Sequence, residues 1–401
     1  MISLEEAKAR VLLALRPRAV EQVALLQALG RFSASAIRSP LDLPGFDNSA
    51  MDGYALRSED LKHASAQHPV ILPCAGRIAA GPAPGLLLRP GTCLRIFTGS
   101  ALPPGADAVV MQEDATALEC GIQFVEPVKP LENVRLRGED LRTGAALLKP
   151  GQKITATQAA LLAASGVASV AVPVRLKIAL LATGSELRES GASLQPGEIC
   201  ESNRTLLAAL LSPLACDVLS APIVADSLAA TVDALRAAFH EADLVLTSGG
   251  VSVGEFDYVK EAFHKIGGTV DLWRVAIRPG KPFVFGKFGE KFLFGLPGNP
   301  VSAFVTFLLL VRPAILHLQG ASNLELPVVQ GTLAEAVTNR GDRRHFIRVR
   351  FEANQIFTTG PQKSHMIGRL GQANGLLDLP AGAQWERGST APVHLWELPE
   401  S

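Results

Sequence analysis

At 401 residues the chain exceeds what one hydrophobic core organises, so two to four domains are expected. Apolar residues make up 48% and charged residues 19%, which excludes a disordered chain. The 38 basic and 38 acidic side chains cancel, which argues against a nucleic-acid binder and leaves any bound anion to local charge and backbone amides.

Ser3 and Glu6 form a capping-box pattern, and Leu4, Ala7, Val11 and Leu15 share one helical face. Pro17 interrupts, and a second short helix is expected over about Val20–Leu29, closed by Gly30. From Pro40 to about Arg137 short apolar runs alternate with Gly and Pro, the texture of a β region. Helical spacing returns at Thr155–Ser165 and stops at Gly166. The simplest account inserts a β domain, residues 46–139, into a helical one made of 1–45 and 140–175. From 176 to 322 apolar strand runs (Lys177–Ala182, Asp243–Leu246, Lys291–Phe294) alternate with helical ones, and a long helix follows at Pro300–Leu318. That alternation predicts an α/β domain with a mostly parallel sheet. Residues 323–401 read as a small β-barrel or sandwich.

The five cysteines at 74, 93, 120, 200 and 216 show no CxxC spacing, which argues against a disulfide framework or a structural zinc site. The acidic start, Met-Ile-Ser-Leu-Glu-Glu, is unlike a signal peptide, and the uncharged stretch Ala156–Val174 is too weakly apolar to insert. A cytoplasmic protein without a membrane partner is expected.

Three loops follow predicted strands of the α/β region. They are Thr183-Gly184-Ser185-Glu186, the run 247–257 with Ser248, Gly249, Gly250, Ser252 and Gly254, and Gly295–Pro300 with Pro297, Gly298 and Asn299. In an open parallel sheet such loops share the carboxyl edge, where ligands bind and glycines let amides approach an anion. None is a Walker A or a helix-opening GxGxxG motif, so a phosphorylated ligand other than a nicotinamide dinucleotide is favoured. Glu186, Asp226 and Asp257 lie at these edges, either as helix caps or as magnesium ligands beside a phosphate. Arg278 and Lys281 flank a Pro-Gly turn suited to an anion. In the β insertion three polar patches stand out: 47–52 with Asp52, 98–100 with Thr98, and 137–140 with Asp140. Taken alone they are turn chemistry.

Together these segments resemble the molybdopterin molybdenumtransferase family, which includes bacterial MoeA proteins and the gephyrin E domain. The stretches that carry the likeness are DNSAMDGYA (47–55), TGSALPPGADAVVMQED (98–114), RGED (137–140), ATGSEL (182–187), TSGGVSVGEFDYVK (247–260) and RPGKPFVFG…FGLPGNPVSAF (278–304). FIR (346–348) and TTGPQKSH (358–365) extend it into the last domain. The resemblance implies a multidomain α/β subunit: a helical stalk, an inserted β domain, an adenylyltransferase-like α/β domain and a C-terminal small β-barrel. It implies a homodimer with composite active sites, and other proteins of molybdenum cofactor biosynthesis as candidate partners. The implied reaction takes adenylylated molybdopterin and molybdate, uses Mg²⁺ or another divalent cation, and releases AMP. Asp52, Thr98, Asp140, Glu186, Asp226 and Asp257 match positions important for activity, with the last three as metal ligands. Pro297 and Pro300 match positions that shape the loop ahead of Ser302. Arg278, Lys281, Ser302, Arg348 and Ser364 match a molybdate-holding cluster, Arg278 standing where the family commonly has Lys. Two other readings share the fold, a molybdopterin adenylyltransferase and a non-catalytic scaffold. The first needs only the α/β domain, and the second would have lost the site acids.

Overall fold

The computed structural model describes residues 1–82, 85–251 and 257–397. Helix α1 (Leu4–Ala14) begins where the Ser3 hydroxyl accepts the Glu6 N–H at 3.0 Å. Its apolar stripe does not stay with the N-terminal unit. Ala7, Val11 and Leu15 are buried in the core of the α/β region. The helix expected over Val20–Leu29 is replaced by strand β1 (Val20–Ala24) and a 3-10 turn at Leu25–Ala28.

The inserted segment builds a four-stranded sheet from β2 (Gly53–Leu56), β3 (Cys74–Ile78), β4 (Cys93–Ile96) and β5 (Ala108–Met111), in the order β3-β4-β2-β5. Side chains alternate between its faces. Leu56, Cys93 and Ala108 enter one small core, while Ala55, Leu94 and Val109 enter another on the opposite face. Gly53 is required here: a Cβ would fall 2.0 Å from the Val110 carbonyl oxygen. The chain returns through helix α2 (Ala156–Ala164), opened by a Thr155–Gln158 capping box, and strand β6 (Ser169–Pro173). Strand β6 pairs antiparallel with β1 along its whole length. That long-range ladder overrides the local helical preference of Glu, Gln, Ala and Leu in 20–29.

The α/β sheet has six strands: β7 (Lys177–Ala182), β8 (Asp217–Ser220), β9 (Leu244–Ser248), β10 (Thr269–Trp273), β12 (Val284–Phe288) and β13 (Lys291–Leu296). Between the fourth and fifth, the short β11 (Ile277–Arg278) leaves to join the barrel. The order is β8-β7-β9-β13-β12-β10. Strands β8, β7, β9 and β13 run parallel, while β12 and β10 close the edge antiparallel. Helices α4 (Leu228–Glu241) and α5 (Val259–Lys265) cover one face. The other face is covered by α1, α3 (Asn203–Leu211) and the helical run Pro300–Leu318. That run is α6 (Pro300–Thr306), a π-helical turn at Phe307–Val311 and α7 (Arg312–Leu318). Among the described residues it is the one helix long and apolar enough to cross a membrane, and most of it is buried inside the protein.

The last domain closes on itself. Strands β14 (Val328–Leu333), β15 (Arg344–Glu352), β16 (Gln355–Thr358), β17 (Gly375–Leu379) and β18 (Thr390–Leu395) pair in the order β15-β16-β14-β18-β17, and β17 pairs back onto β15. The result is a five-stranded barrel, interrupted by one short helix at Ile367–Leu370. Strand β11 adds to its outside, parallel to β15, with Ile277 opposite Arg344 and Arg278 opposite His345. Phe346, Leu370 and Leu376 of this domain belong to the same continuous core as α1 and the α/β sheet.

Candidate active site

The predicted loops of the α/β domain do meet at the carboxyl edge. The Thr183 amide donates to the Ser248 carbonyl at 3.0 Å, and the Gly249 amide to that of Leu296 at 3.1 Å. The Gly184 amide reaches Val224 O at 3.1 Å, which brings in the connection that carries Asp226. Gly249 and Gly250 have φ of +90° and +66°. A Cβ on Gly249 would lie 2.7 Å from Thr183 O and 2.9 Å from Thr183 Oγ1. Glycine therefore serves both the left-handed backbone and the close approach of two loops.

Asn203, which no motif singles out, ties two of these loops. Its Nδ2 donates to Ser248 Oγ at 2.5 Å and to Gly298 O at 2.7 Å. Its only signal was its place at a helix start, where Asn is ordinary. Three buried polar atoms here, Thr183 Oγ1, Asn203 Oδ1 and Thr247 Oγ1, find no partner among the described residues. Native interiors rarely leave such groups unpaired, so three of them in one loop cluster call for a partner such as water or a ligand.

The expected three-carboxylate centre is not preassembled. Among the described residues no group of three His, Cys, Asp or Glu side chains stands close enough to share an ion. Local bonding accounts for the position of Asp226. Asp226 accepts the Ser185 N–H at 2.9 Å, and its own amide donates to Ser185 Oγ at 3.1 Å. Glu186 is exposed, and its carboxylate folds back over Gly184. Asp257 lies beside Lys260, whose pKa is lowered by burial and by Arg274 against the pull of Asp257. Lys260 and Arg274 both pack on the Trp273 ring, at 3.4 and 4.0 Å from its centre, and the indole N–H reaches Val251 O at 3.4 Å. Neither cation was singled out in the sequence, although the aromatic–cation pair 273–274 leads straight into the Arg278–Lys281 turn. Ser252 and Gly254 lie outside the described residues.

The oxyanion set assembles in part around α6. The Val301 amide donates to Ser364 O at 3.2 Å, next to the buried Ser302. The 278–281 turn abuts the same helix, because a Cβ on Gly280 would touch the Thr306 methyl group at 2.6 Å. Arg278 and Lys281 are exposed there. Pro297 is buried beneath the loop, with Gly298 and Asn299 exposed and Pro300 opening the helix. Arg348 departs from its expected role. It is 1% exposed, and all three guanidinium nitrogens donate inward: Nε to Gln362 Oε1, Nη1 to Met366 O, and Nη2 to Pro361 O and Lys363 O. It clamps the loop that carries Ser364 and offers no open face to an anion.

The three polar patches of the inserted domain also converge. Asp52 Oδ1 accepts from Thr98 N and Thr98 Oγ1, both at 2.8 Å. These bonds, with Arg95 nearby, hold the Asp52 pKa below the ordinary carboxylate value. The Ser49 amide donates to Ser100 O, Gly99 N to Ser49 O, and Leu102 N to Asp47 O. Arg137 N donates to Asp47 Oδ1 at 2.7 Å, which docks the 137–140 patch. Exposed Asp140 hangs there by its amide from Leu43 O. The hydrogen bonds of Asp52, Thr98 and Asp140 stay within this domain and its junction.

A mostly parallel α/β domain, joined to an inserted β domain and a closed barrel, is the class this architecture defines. Residues 179–317 match the model described as a probable molybdopterin binding domain. Residues 2–166 match the MoeA N-terminal region (domain I and II), and 330–396 the MoeA C-terminal region (domain IV). The chain is 39% identical over 399 residues to the molybdopterin molybdenumtransferase of Haemophilus influenzae, covering 98% of this chain and 96% of the relative. It is 37% identical to molybdopterin molybdenumtransferase 2 of Mycobacterium tuberculosis, covering 94% of each. Its fold superposes on the molybdopterin biosynthesis moeA protein of Pyrococcus horikoshii with a TM-score of 0.84, at 31% identity and 99% coverage of both chains. The chain belongs to the molybdopterin molybdenumtransferase family and is a transferase.

Proposed function

We propose that this chain transfers molybdenum from molybdate to adenylylated molybdopterin, with release of AMP, in molybdenum cofactor biosynthesis. The observation that carries the reading is the meeting of the Thr183, Ser248 and Gly298 loops at one sheet edge around unpartnered Thr and Asn atoms. Such an edge suits a ligand with a pyrophosphate and a polar ring system. The relatives' names supply the pterin and the metal.

Molybdate is a tetrahedral dianion, and Arg278, Lys281, Ser302 and Ser364 supply cationic and hydroxyl donors for it beside α6. Arg348 positions the Ser364 loop. Asp226 and Glu186 fit a divalent cation in a limited sense. Mg²⁺ needs only one or two carboxylates when phosphate oxygens and water complete its shell. Asp226 keeps lone pairs beyond the one used by the Ser185 amide. When bound, the ion would spread the charge of the pyrophosphate. The Thr183 and Thr247 hydroxyls, which are not used between the loops, would take the ligand's polar atoms at that edge. Asp52, Thr98 and Asp140 have no ligand to face within their own domain, so they are assigned to the site of a second copy.

The test is incubation with adenylylated molybdopterin, molybdate and Mg²⁺, scoring AMP and active cofactor. Release of AMP dependent on molybdate is expected. Attachment of AMP to molybdopterin from ATP would indicate an adenylyltransferase. Absence of both activities would indicate a scaffold.

A further inference from the structure

All five cysteines are free thiols, and two of them are neighbours. Strands β3 and β4 run parallel with Cys74 directly beside Cys93. Adjacent strands lie about 4.7–4.9 Å apart, within the roughly 4.4–6.8 Å between Cα atoms that a disulfide spans. The register shifts between Cys74 and Arg77, so the pairing holds at Cys74 itself and is not a strand-long alternation. The Cys93 thiol donates to the carbonyls of Leu72 and Pro73, at 3.8 and 3.7 Å, the two residues that lead into Cys74. Burial pushes the Cys93 thiol up to about 12, and the charge and hydrogen bond of the adjacent Cys74 add to the rise. The pair is asymmetric: Cys74 is exposed, whereas Cys93 is fully buried among Leu56, Leu72 and Phe124.

We propose that Cys74 and Cys93 form a dithiol modification site, closed into an intradomain disulfide by a low-molecular-weight disulfide such as oxidised glutathione. In the first step the Cys74 thiolate attacks one sulfur of the reagent, forming a mixed disulfide and releasing one thiolate. In the second, Cys93 gives its proton to solvent and attacks the Cys74 sulfur, and the second reagent thiolate leaves. Two protein thiols are oxidised by two electrons and one reagent disulfide is reduced to two thiols. The order follows from exposure, since the reagent reaches only Cys74. The buried thiol with its high pKa makes the second step the slow one. Strand β4 leads directly into Thr98, so the bridge would brace the strand that presents the Asp52–Thr98 pair.

The test uses the full chain with exposed Cys120 and Cys200 replaced by Ser, treated with oxidised glutathione and followed by intact mass. One adduct should form and then disappear, leaving a protein two hydrogens lighter than the start. Tryptic peptide 63–77 should be found joined to 78–95, and dithiothreitol should separate them. In Cys93→Ser the adduct on Cys74 should persist. Cys74→Ser, at an exposed position, should leave Cys93 unmodified in the folded protein. A stable adduct on Cys74 with Cys93 still alkylated after unfolding would overturn the proposal. So would modification of Cys93 in Cys74→Ser.

Discussion

His345 is 6% exposed and neither ring nitrogen has a hydrogen-bond partner among the described residues. Burial, followed by Arg278, Arg348 and Arg343, holds its pKa down at about 4. An unfolded histidine titrates near 6.5, so between these values the unfolded chain binds more protons than the native one. Stability contributed by the neutral imidazole is therefore present above about pH 6.5 and is lost as pH falls toward 4. The loss approaches roughly 3 kcal/mol at about 1.4 kcal/mol per pKa unit. Urea unfolding at pH 7 and pH 4.5 should show a larger loss for the parent than for His345→Phe; equal losses would contradict a neutral buried ring. For the carboxylates, Glu186→Gln and Asp226→Asn should each cut AMP release about a hundredfold or more while melting is unchanged. The amide of Asn still offers an oxygen to the Ser185 N–H, so the loop should hold. Near-normal AMP release at saturating Mg²⁺ would reduce both acids to loop caps. Single-residue roles were unevenly legible. Asp52 and Thr98 were visible as polar patches, but their mutual bond spans 46 positions and has no local pattern. Arg348 was visible as a cation, yet only the surrounding carbonyls reveal that it serves a loop.

Elements with one clear period were legible. Helix α4 buries Thr231, Val232, Leu235, Ala238 and Phe239, a helical stripe that any single-sequence reading finds. Strand β1 was not, because Val-Glu-Gln-Val-Ala suits either period and only its partner β6, far along the chain, decides. Strands β10 and β12 are hard to see for a related reason: they pair antiparallel at the sheet edge, outside the strand–helix alternation that marks the rest of the domain. The glycine loop after β9 was readable in composition, and its geometry now permits a sharp prediction. Gly249→Ala adds a Cβ at a positive φ and against Thr183, so it should cost about 1–3 kcal/mol. It should also lower AMP release at least tenfold, by pushing the 183–186 loop away from Ser248. Retained activity together with retained melting temperature would show that the two loops need not touch.

At the scale of the molecule, the inserted domain and the α/β edge each hold half of the polar residues attributed to one site. If two copies complete each other, mixing Asp52→Asn with Asp257→Asn protein should restore part of the activity that each lacks, as measured by AMP release. No recovery in verified mixed dimers would place all the chemistry in one subunit. The shared core has a different consequence. Residues of α1, the α/β sheet and the barrel bury one another, and Glu5 pairs with Arg344 while Lys8 pairs with Glu325. The inserted domain keeps its two small cores to itself. Unfolding should therefore be divided by cores and not by order along the chain. In native-state hydrogen exchange, amides of β2, β4 and β5 should open together at a lower free energy than those of β9 and β13. The barrel shares Phe346, Leu370 and Leu376 with the sheet but has a core of its own around Ile347, Val349 and Leu377, so amides of β15 should open separately from those of β9. The first helix and the α/β sheet would then rank as one cooperative unit. The insertion would rank as a second, able to breathe while the carboxyl edge of the α/β sheet stays intact.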